Sequence, residues 1–254
     1  MGISRRKFIQ IGGACALGIG VIPLANVVAG NNPKFIPSSK ALAADKWAMV
    51  IDMSKCPEGC DICIKACHYT HNVPEIGNAK EEVKWIWTEP FASAFPYQKH
   101  DYMDEKTKKQ PFLVLCNHCE NPSCVRVCPT KATFKRPDGI VMMDYHRCIG
   151  CRYCMAACPY GARSFNFKDP RAYITELNPS YPTRSKGVVE KCNFCDERLA
   201  LGSLPACVEA CPNEALVFGD IADPNSKVRK LLAANYNIQR KLKLGTKPKV
   251  YYIV

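Results

Sequence analysis

Residues 148–159 read CIGCRYCMAACP, which puts Cys148, Cys151, Cys154 and Cys158 within eleven residues and Pro159 directly behind them. Three other runs do much the same: CPEGCDICIKAC at 56–67, CNHCENPSCVRVCP at 116–129, and a split run with CNFC at 192–195 and CVEACP at 207–212. Sixteen of the 17 cysteines fall in these runs and Cys15 stands apart. Thiolates converging in this way are ligands for a soft metal centre. An exported disulfide framework is the bland reading, but such frameworks staple small domains that lack a core. A chain of 254 residues does not need eight bridges. Structural zinc takes four thiolates, usually as two separated C-x2-C knuckles. Three ligands on one loop, a fourth on the next helical turn and a proline after it is the iron–sulfur pattern. Attached haem needs C-x2-C-H. Cys67-His68 comes closest, but Cys63 is four residues back and the spacing fails.

The spacings are Cys148, Cys151, Cys154, Cys158 (C-x2-C-x2-C-x3-C-P); Cys116, Cys119, Cys124, Cys128 (C-x2-C-x4-C-x3-C-P); Cys192, Cys195, Cys207, Cys211 (C-x2-C-x11-C-x3-C-P); and Cys56, Cys60, Cys63, Cys67, one residue longer at its first gap and with His68 in place of proline. The x3 gap starts a helical turn that aims the fourth thiol away from its own loop, so the fourth cysteine of a run ligates the neighbouring cluster in two-cluster ferredoxins. Four runs then make two reciprocal pairs and predict four [4Fe–4S] clusters. Chain order pairs the middle runs: Cys116, Cys119, Cys124 with Cys158, and Cys148, Cys151, Cys154 with Cys128. The outer runs pair across them: Cys56, Cys60, Cys63 with Cys211, and Cys192, Cys195, Cys207 with Cys67.

The elements that position these thiols are short. Strands are expected at Trp47–Ile51, Val83–Trp87, Phe112–Leu115, Ile140–Met143, Val188–Glu190 and Leu216–Phe218, with helices at Tyr153–Ala157 and Pro205–Ala210. Ala132–Lys135, Pro137-Asp138-Gly139 and Ile140–Met143 read as a hairpin between the middle runs. VIDMSKC (50–56) repeats as MMDYHRC (142–148), with VVEKC (188–192) a shortened echo. VYYIV (250–254) reads as a final strand. The expected fold is α+β: two interlocked ferredoxin-like units, each with two [4Fe–4S] clusters, joined by long loops. The inner unit spans about 111–170, the outer unit 45–75 and 187–220, and a basic helix and strand fill 224–254. Metal binding and folding are coupled in such a design.

Ser4-Arg5-Arg6-Lys7-Phe8, an apolar Gly/Ala-rich stretch broken by Pro23 and Asn26, and Ala41-Leu42-Ala43 read as a twin-arginine export signal over 1–43, cleaved before Ala44; a membrane anchor is the weaker reading. Cys15 is expected to be removed with it, lipidation there being the weaker reading after so short an apolar stretch. This route carries folded proteins, as a chain loaded with metal clusters before export requires. The mature domain is 44–254, in the periplasm or on the extracytoplasmic face of the membrane. The formal charge of +12 invites nucleic acid as a partner. Residues 1–43 carry five bases and no acid; sixteen thiolates against four cluster cores of about +2 each then bring the holoprotein to about −1. No nucleic-acid partner is expected. Lys227, Arg229, Lys230, Arg240, Lys241, Lys243, Lys247 and Lys249 form a basic tail, either a solvated face or a docking patch. Trp85 and Trp87 read as indoles on one face of a strand or as a partner contact. Of the histidines, His118 and His146 lie near enough to cysteines to hydrogen-bond sulfur; His68, His71 and His100 read as surface or supporting groups.

The four-run order with the x11 gap in the last run resembles the four-cluster iron–sulfur subunits of dimethyl sulfoxide, polysulfide and nitrite reductase complexes, over about residues 45–254. With the leader, CHYTHNVP (67–74), KWIWTEPFASAFP (84–96) and GVVEKCNFC (187–195), it is most similar to the periplasmic DsrO type of the sulfite-reductase-associated complex DsrMKJOP. The resemblance implies dissimilatory sulfur metabolism and several partners: a quinone-reactive NrfD-like membrane subunit, a multihaem cytochrome c, and a membrane haem b/iron–sulfur module. The Cys56/Cys60 gap departs from the commonest family spacing. No residues resemble an activated nucleophile, a paired-carboxylate site or a nucleotide loop, so the chain reads as an electron carrier and not an enzyme, with no catalytic residue. An electron-transfer subunit of a molybdopterin oxidoreductase is the competing reading, since its cluster set would be the same.

Overall fold

The computed structural model describes residues 39–254. Most of the expected export signal, and Cys15, lie outside the described residues. Residues 40–42 run beside a later helix: Leu42 N–H donates to Leu199 O at 2.9 Å, and a Cβ on Gly202 would meet Lys40 O.

The strands are β1 (Trp47–Asp52), β2 (Ile86–Pro90), β3 (Pro111–Leu115), β4 (Thr133–Lys135), β5 (Val141–Met143), β6 (Ser164–Phe165), β7 (Val189–Glu190), β8 (Leu216–Asp220), β9 (Asn237–Ile238) and β10 (Val250–Ile253). The helices are α1 (Ile62–Thr70), α2 (Phe91–Ala94), α3 (Glu105–Lys109), α4 (Ser123–Arg126), α5 (Tyr153–Ala156), α6 (Asp196–Ala200), α7 (Ala206–Glu209) and α8 (Lys227–Ala234). Short strands and short helices make an α+β fold. Among the described residues no helix is long and apolar enough to cross a membrane.

One mixed sheet runs in the order β8-β1-β10-β9, with β1 parallel to β10 and antiparallel to β8. All six residues of β1 are buried. WAMVID is apolar almost throughout because both faces are covered, the pattern of an interior strand. Ala48 and Val50 pack with Val217, Ile253 and the Val228, Leu231 and Leu232 side chains of α8. Trp47, Met49 and Ile51 face the main core, which contains Cys63, Cys67, Cys116, Cys192 and Cys207. The thiols are therefore part of the apolar interior.

The other sheets are pairs: β2-β3, β4-β5 and β6-β7, all antiparallel. The β4-β5 hairpin turns at Gly139, whose φ of +88° suits glycine. Its position agrees with the sequence. β2 begins three residues later than the pattern predicted, because Lys84 N–H donates to Ser164 Oγ at 2.8 Å instead of to a strand. Trp85 is fully buried and its Nε1–H donates to Glu190 at 3.0 Å; Trp87 is 9% exposed and donates to Glu89. The indoles are thus internal, and the partner-contact reading for them is withdrawn.

Candidate iron–sulfur sites

A repeated turn leads the chain into two of the cysteine loops. Asp52 accepts hydrogen bonds from Ser54 N–H and Oγ–H ahead of Cys56, and Asp144 accepts from His146 N–H and Arg147 N–H ahead of Cys148. This is the physical content of the VIDMSKC/MMDYHRC repeat. The VVEKC echo does not share it: Glu190 is buried in an ion pair with Arg184 at 2.6 Å.

The first thiol set joins Cys56, Cys60 and Cys63 to Cys211. Burial, then Cys56, Cys211 and Cys60, push the Cys63 thiol up to about 12. Cys56 is raised by burial, Cys60 and Cys211. The extra residue of the long gap is absorbed at Gly59, φ +77°, in open space. In the second set Cys67, one helical turn beyond Cys63 on α1, meets Cys195, Cys192 and Cys207. Burial and these three thiols raise it well above the usual thiol range. In the third, Cys119 is pushed up to about 12 by burial and then Cys116, with Cys124 and Cys158 adding to it, although a hydrogen bond with Thr246 works the other way. In the fourth, Cys128, Cys148, Cys151 and Cys154 line one concavity with Thr130, Ala132, Met143, Ile149, Arg152 and Val189. Cys151 is exposed, so this set lies nearest solvent. Burial pushes Cys128 upward, but the N–H groups of Thr133, Thr130 and Ala132 and the Thr130 hydroxyl outweigh it and leave the thiol below its usual range.

The four sets adjoin in an unbroken order. Cys207 and Cys67 both feel Cys63 across the first gap, Cys192 feels Cys116 across the second, and Cys154 feels Cys124 across the third.

Do these residues fit a [4Fe–4S] cluster? Four thiols packed together resist ionising, because each thiolate raises its neighbours. A multivalent cation core removes that penalty and deprotonates its ligands. The surroundings also supply donors to sulfur, as cluster sites do. Ala215 N–H lies 3.3 Å from Cys211 Sγ, Ala206 N–H 3.4 Å from Cys195 Sγ and Phe194 N–H 3.5 Å from Cys192 Sγ. All sixteen described cysteines are free thiols. The chemistry fits.

Residues 108–173 match one 4Fe-4S dicluster domain family, and residues 147–216 match a second. The chain is 43% identical to the Hdr-like menaquinol oxidoreductase iron-sulfur subunit 1 of Archaeoglobus fulgidus, over 98% of this chain and 97% of that one. It is 36% identical to protein NrfC of Escherichia coli, over 98% and 95%. It belongs to the iron–sulfur subunit family of NrfC and Hdr-like menaquinol oxidoreductase complexes. This NrfC/Hdr-like chain is also 38% identical to the menaquinone reductase iron-sulfur cluster-binding subunit of Nitratidesulfovibrio vulgaris, over 82% of this chain and 88% of that one. The dicluster matches indicate [4Fe–4S] clusters as this chain's cofactors.

Around the thiols, the structure adds residues that the spacing did not reveal. His71 is buried, stacks on Trp85 at 4.5 Å between centroids, places Nδ1 3.0 Å from Cys67 O and 3.7 Å from Cys67 Sγ, and pairs Nε2 with Glu197 at 2.8 Å. His71, Glu197 and Cys195 lie close enough to suggest a metal site of their own, but Cys195 already belongs to the second set. His118 behaves differently from expectation: its Nδ1 accepts from Val141 N–H at 3.0 Å and its ring stacks on Phe194. His146 is exposed, and its backbone N–H, not its ring, makes the local bond. The buried cations Arg163 and Lys191 were also missed. Their one sequence signal is position, Lys191 directly before Cys192 and Arg163 five residues after Cys158.

Proposed function

We propose that this chain is an electron-transfer subunit that relays electrons through four [4Fe–4S] clusters and performs no catalysis itself. The observation that carries the reading is the continuous file of four thiol sets. The ligands are Cys56, Cys60, Cys63 and Cys211; Cys67, Cys192, Cys195 and Cys207; Cys116, Cys119, Cys124 and Cys158; and Cys128, Cys148, Cys151 and Cys154. Two interlocked ferredoxin-like units result, the inner from the last two sets and the outer from the first two. When bound, each cluster supplies one reversible electron step. The protein's own residues hold the thiols convergent, bury all four thiols of the second set, and aim N–H donors at sulfur.

Its complex is read as follows. A twin-arginine leader over 1–43 exports the folded protein, and the mature domain sits on the extracytoplasmic side. There it connects a quinone-reactive NrfD-like membrane subunit with a multihaem cytochrome c, as a DsrO-type subunit in dissimilatory sulfur metabolism. The menaquinol and menaquinone enzymes named among its relatives support the quinone side. A second reading is favoured by another relative, the putative dimethyl sulfoxide reductase iron-sulfur protein of Halobacterium salinarum, 39% identical over 82% of this chain: an electron subunit for a molybdopterin oxidoreductase.

Iron and acid-labile sulfide analysis with an EPR-monitored redox titration tests the cluster reading. About sixteen iron per chain and four one-electron steps are expected from four cubanes; zinc or a colourless protein overturns it. Affinity purification from membranes tests the complex. Recovery of an NrfD-like protein and a cytochrome c supports the first assembly, and a pterin enzyme the second.

A further inference from the structure

Among the described residues four cationic side chains are buried to 4% exposure or less, and they divide into two kinds. Arg184 and Arg240 are ion-paired, with Glu190 at 2.6 Å and Glu89 at 2.7 Å. Arg163 and Lys191 make no ion pair with a carboxylate among the described residues, although Lys191 acts on Asp196 from a distance. Arg163, 4% exposed, donates from Nη2 to Thr133 Oγ1 at 2.7 Å and to Cys124 Sγ at 3.0 Å, and its Nη1 lies 3.9 Å from Met143 Sδ. Lys191, 1% exposed, donates from Nζ to Val141 O and, at 2.7 Å, to Cys192 O. A buried charge without an opposite charge is costly, so each needs an anion nearby.

The thiol sets supply it. Arg163 touches Cys124 Sγ at 3.0 Å, and the groups that favour its charge are Cys124, Cys154, Cys116 and Cys158, which belong to the third and fourth sets. Lys191 sits directly before Cys192 and donates to its carbonyl at 2.7 Å; burial and Arg163 lower its ammonium, and Cys116, Cys192 and Cys124, of the second and third sets, are the groups that hold the charge on it. One cation therefore occupies the gap between the second and third sets and the other the gap between the third and fourth. The third set lies in the field of both. Across the first gap, the strongest electrostatic neighbours of Cys63 and Cys67 are all thiols.

Resting on the cluster assignment above, we propose that Arg163 and Lys191 are fixed counter-charges of the relay, and that together they make the third set the site of greatest electron affinity. Adding an electron to a [4Fe–4S] centre adds one negative charge, and local charge and hydrogen bonds to sulfur set its potential. A cation held in a dry gap stabilises the reduced form on either side of it. Arg163 acts twice, by charge and by its direct bond to Cys124 Sγ, and it stays charged throughout. Both are positioning residues; neither carries the electron.

The test uses the cluster-loaded protein in an EPR-monitored redox titration, with iron measured on the same samples. Arg163→Gln should make two of the four reductions at least tenfold less favourable, which is about 59 mV for a one-electron step. Lys191→Met should do the same to two steps. One step should be common to both variants, should be the highest-potential step of the unaltered protein, and should move by roughly the sum in the double variant. Arg163→Lys keeps the charge and should shift less than tenfold. Loaded variants with four unmoved steps, shifts that share no step, or a shared step that is the lowest of the four would overturn the proposal. If Arg163→Gln does not load, Arg163→Lys and Lys191→Met decide between them. A tenfold shift in Arg163→Lys counts against it, and so does no shift in Lys191→Met. Absence of iron in the unaltered protein instead overturns the cluster assignment itself.

Discussion

Cys211 arrives in the first thiol set from a segment remote from the other three members, so its removal probes the pairing directly. In Cys211→Ala the first set has three thiols, and iron should fall by about one cluster's four atoms while the signals of the third and fourth sets persist; Cys158→Ala should spare the first two sets instead. Iron analysis with EPR separates the two patterns. Gly150 offers a second residue-level check. Its φ is +69°, and a Cβ there would lie 2.5 Å from Gly187 O. Gly150→Ala should cost about 1–3 kcal/mol, seen as a lower melting temperature with the fourth set losing iron first. The cysteines were legible in the sequence because covalent spacing alone presents three ligands on one loop. His71, Arg163 and Lys191 were not. Histidine, arginine and lysine are ordinary at any position, and only the folded chain shows that these three press against thiols or thiol-bearing backbone. His118 and His146 show the converse: nearness to a cysteine in sequence did not bring their rings to sulfur.

The elements are too short to be stable alone, and side-chain staples tie them. The clearest is Arg184–Glu190. Arg184 donates to His71 O and Asn72 O as well as to Glu190, and its guanidinium lies 5.5 Å from the Trp85 ring centroid, while Glu190 also accepts from Trp85 Nε1 and Asn166 Nδ2. Glu190→Gln leaves a buried guanidinium unpaired and should destabilise by about 3–5 kcal/mol, read as a lower denaturant midpoint with an unchanged slope. Strand positions were largely readable, since apolar runs next to cysteines have few alternatives. The late start of β2 was not, because it depends on a hydroxyl eighty residues away in sequence. The repeated Asp turns before Cys56 and Cys148 were visible as a pattern, and the carboxylate-to-N–H bonds explain why aspartate recurs there.

Across the whole molecule, Glu120 gathers Lys135 at 2.5 Å, Lys249 at 3.3 Å and Lys46 at 3.5 Å, joining the hairpin to the segments before β1 and β10. Hydrogen bonding from Lys135 lowers its carboxyl to about 2, despite the opposing effect of burial. A depressed folded value means the clasp stabilises at pH above about 4.5 and that this gain is lost as pH falls toward 2. Between those limits wild type should lose more stability than Glu120→Gln, by a modest margin because the carboxylate is partly solvated; paired melting curves at successive pH values measure it. Removing iron should act more broadly. Stripped protein should lose fixed aromatic environments in near-UV circular dichroism and become protease-sensitive, since the thiols form much of the interior. The basic tail was legible as charge but not as structure. Arg240 pairs with Glu89, Lys227 with Glu214 and Lys249 with Glu120, so internal contacts use a good part of it.

The place of β10 in the sheet carries a further consequence for biosynthesis. It lies between β1 and β9, so the centre of the sheet stays open until translation has passed Val250–Ile253, long after the first three cysteines have emerged. A ribosome stalled short of that point presents every cysteine of the four sets beside a sheet that still lacks one interior strand. Assembly factors must therefore either wait for the finished polypeptide or guard its early half in the meantime.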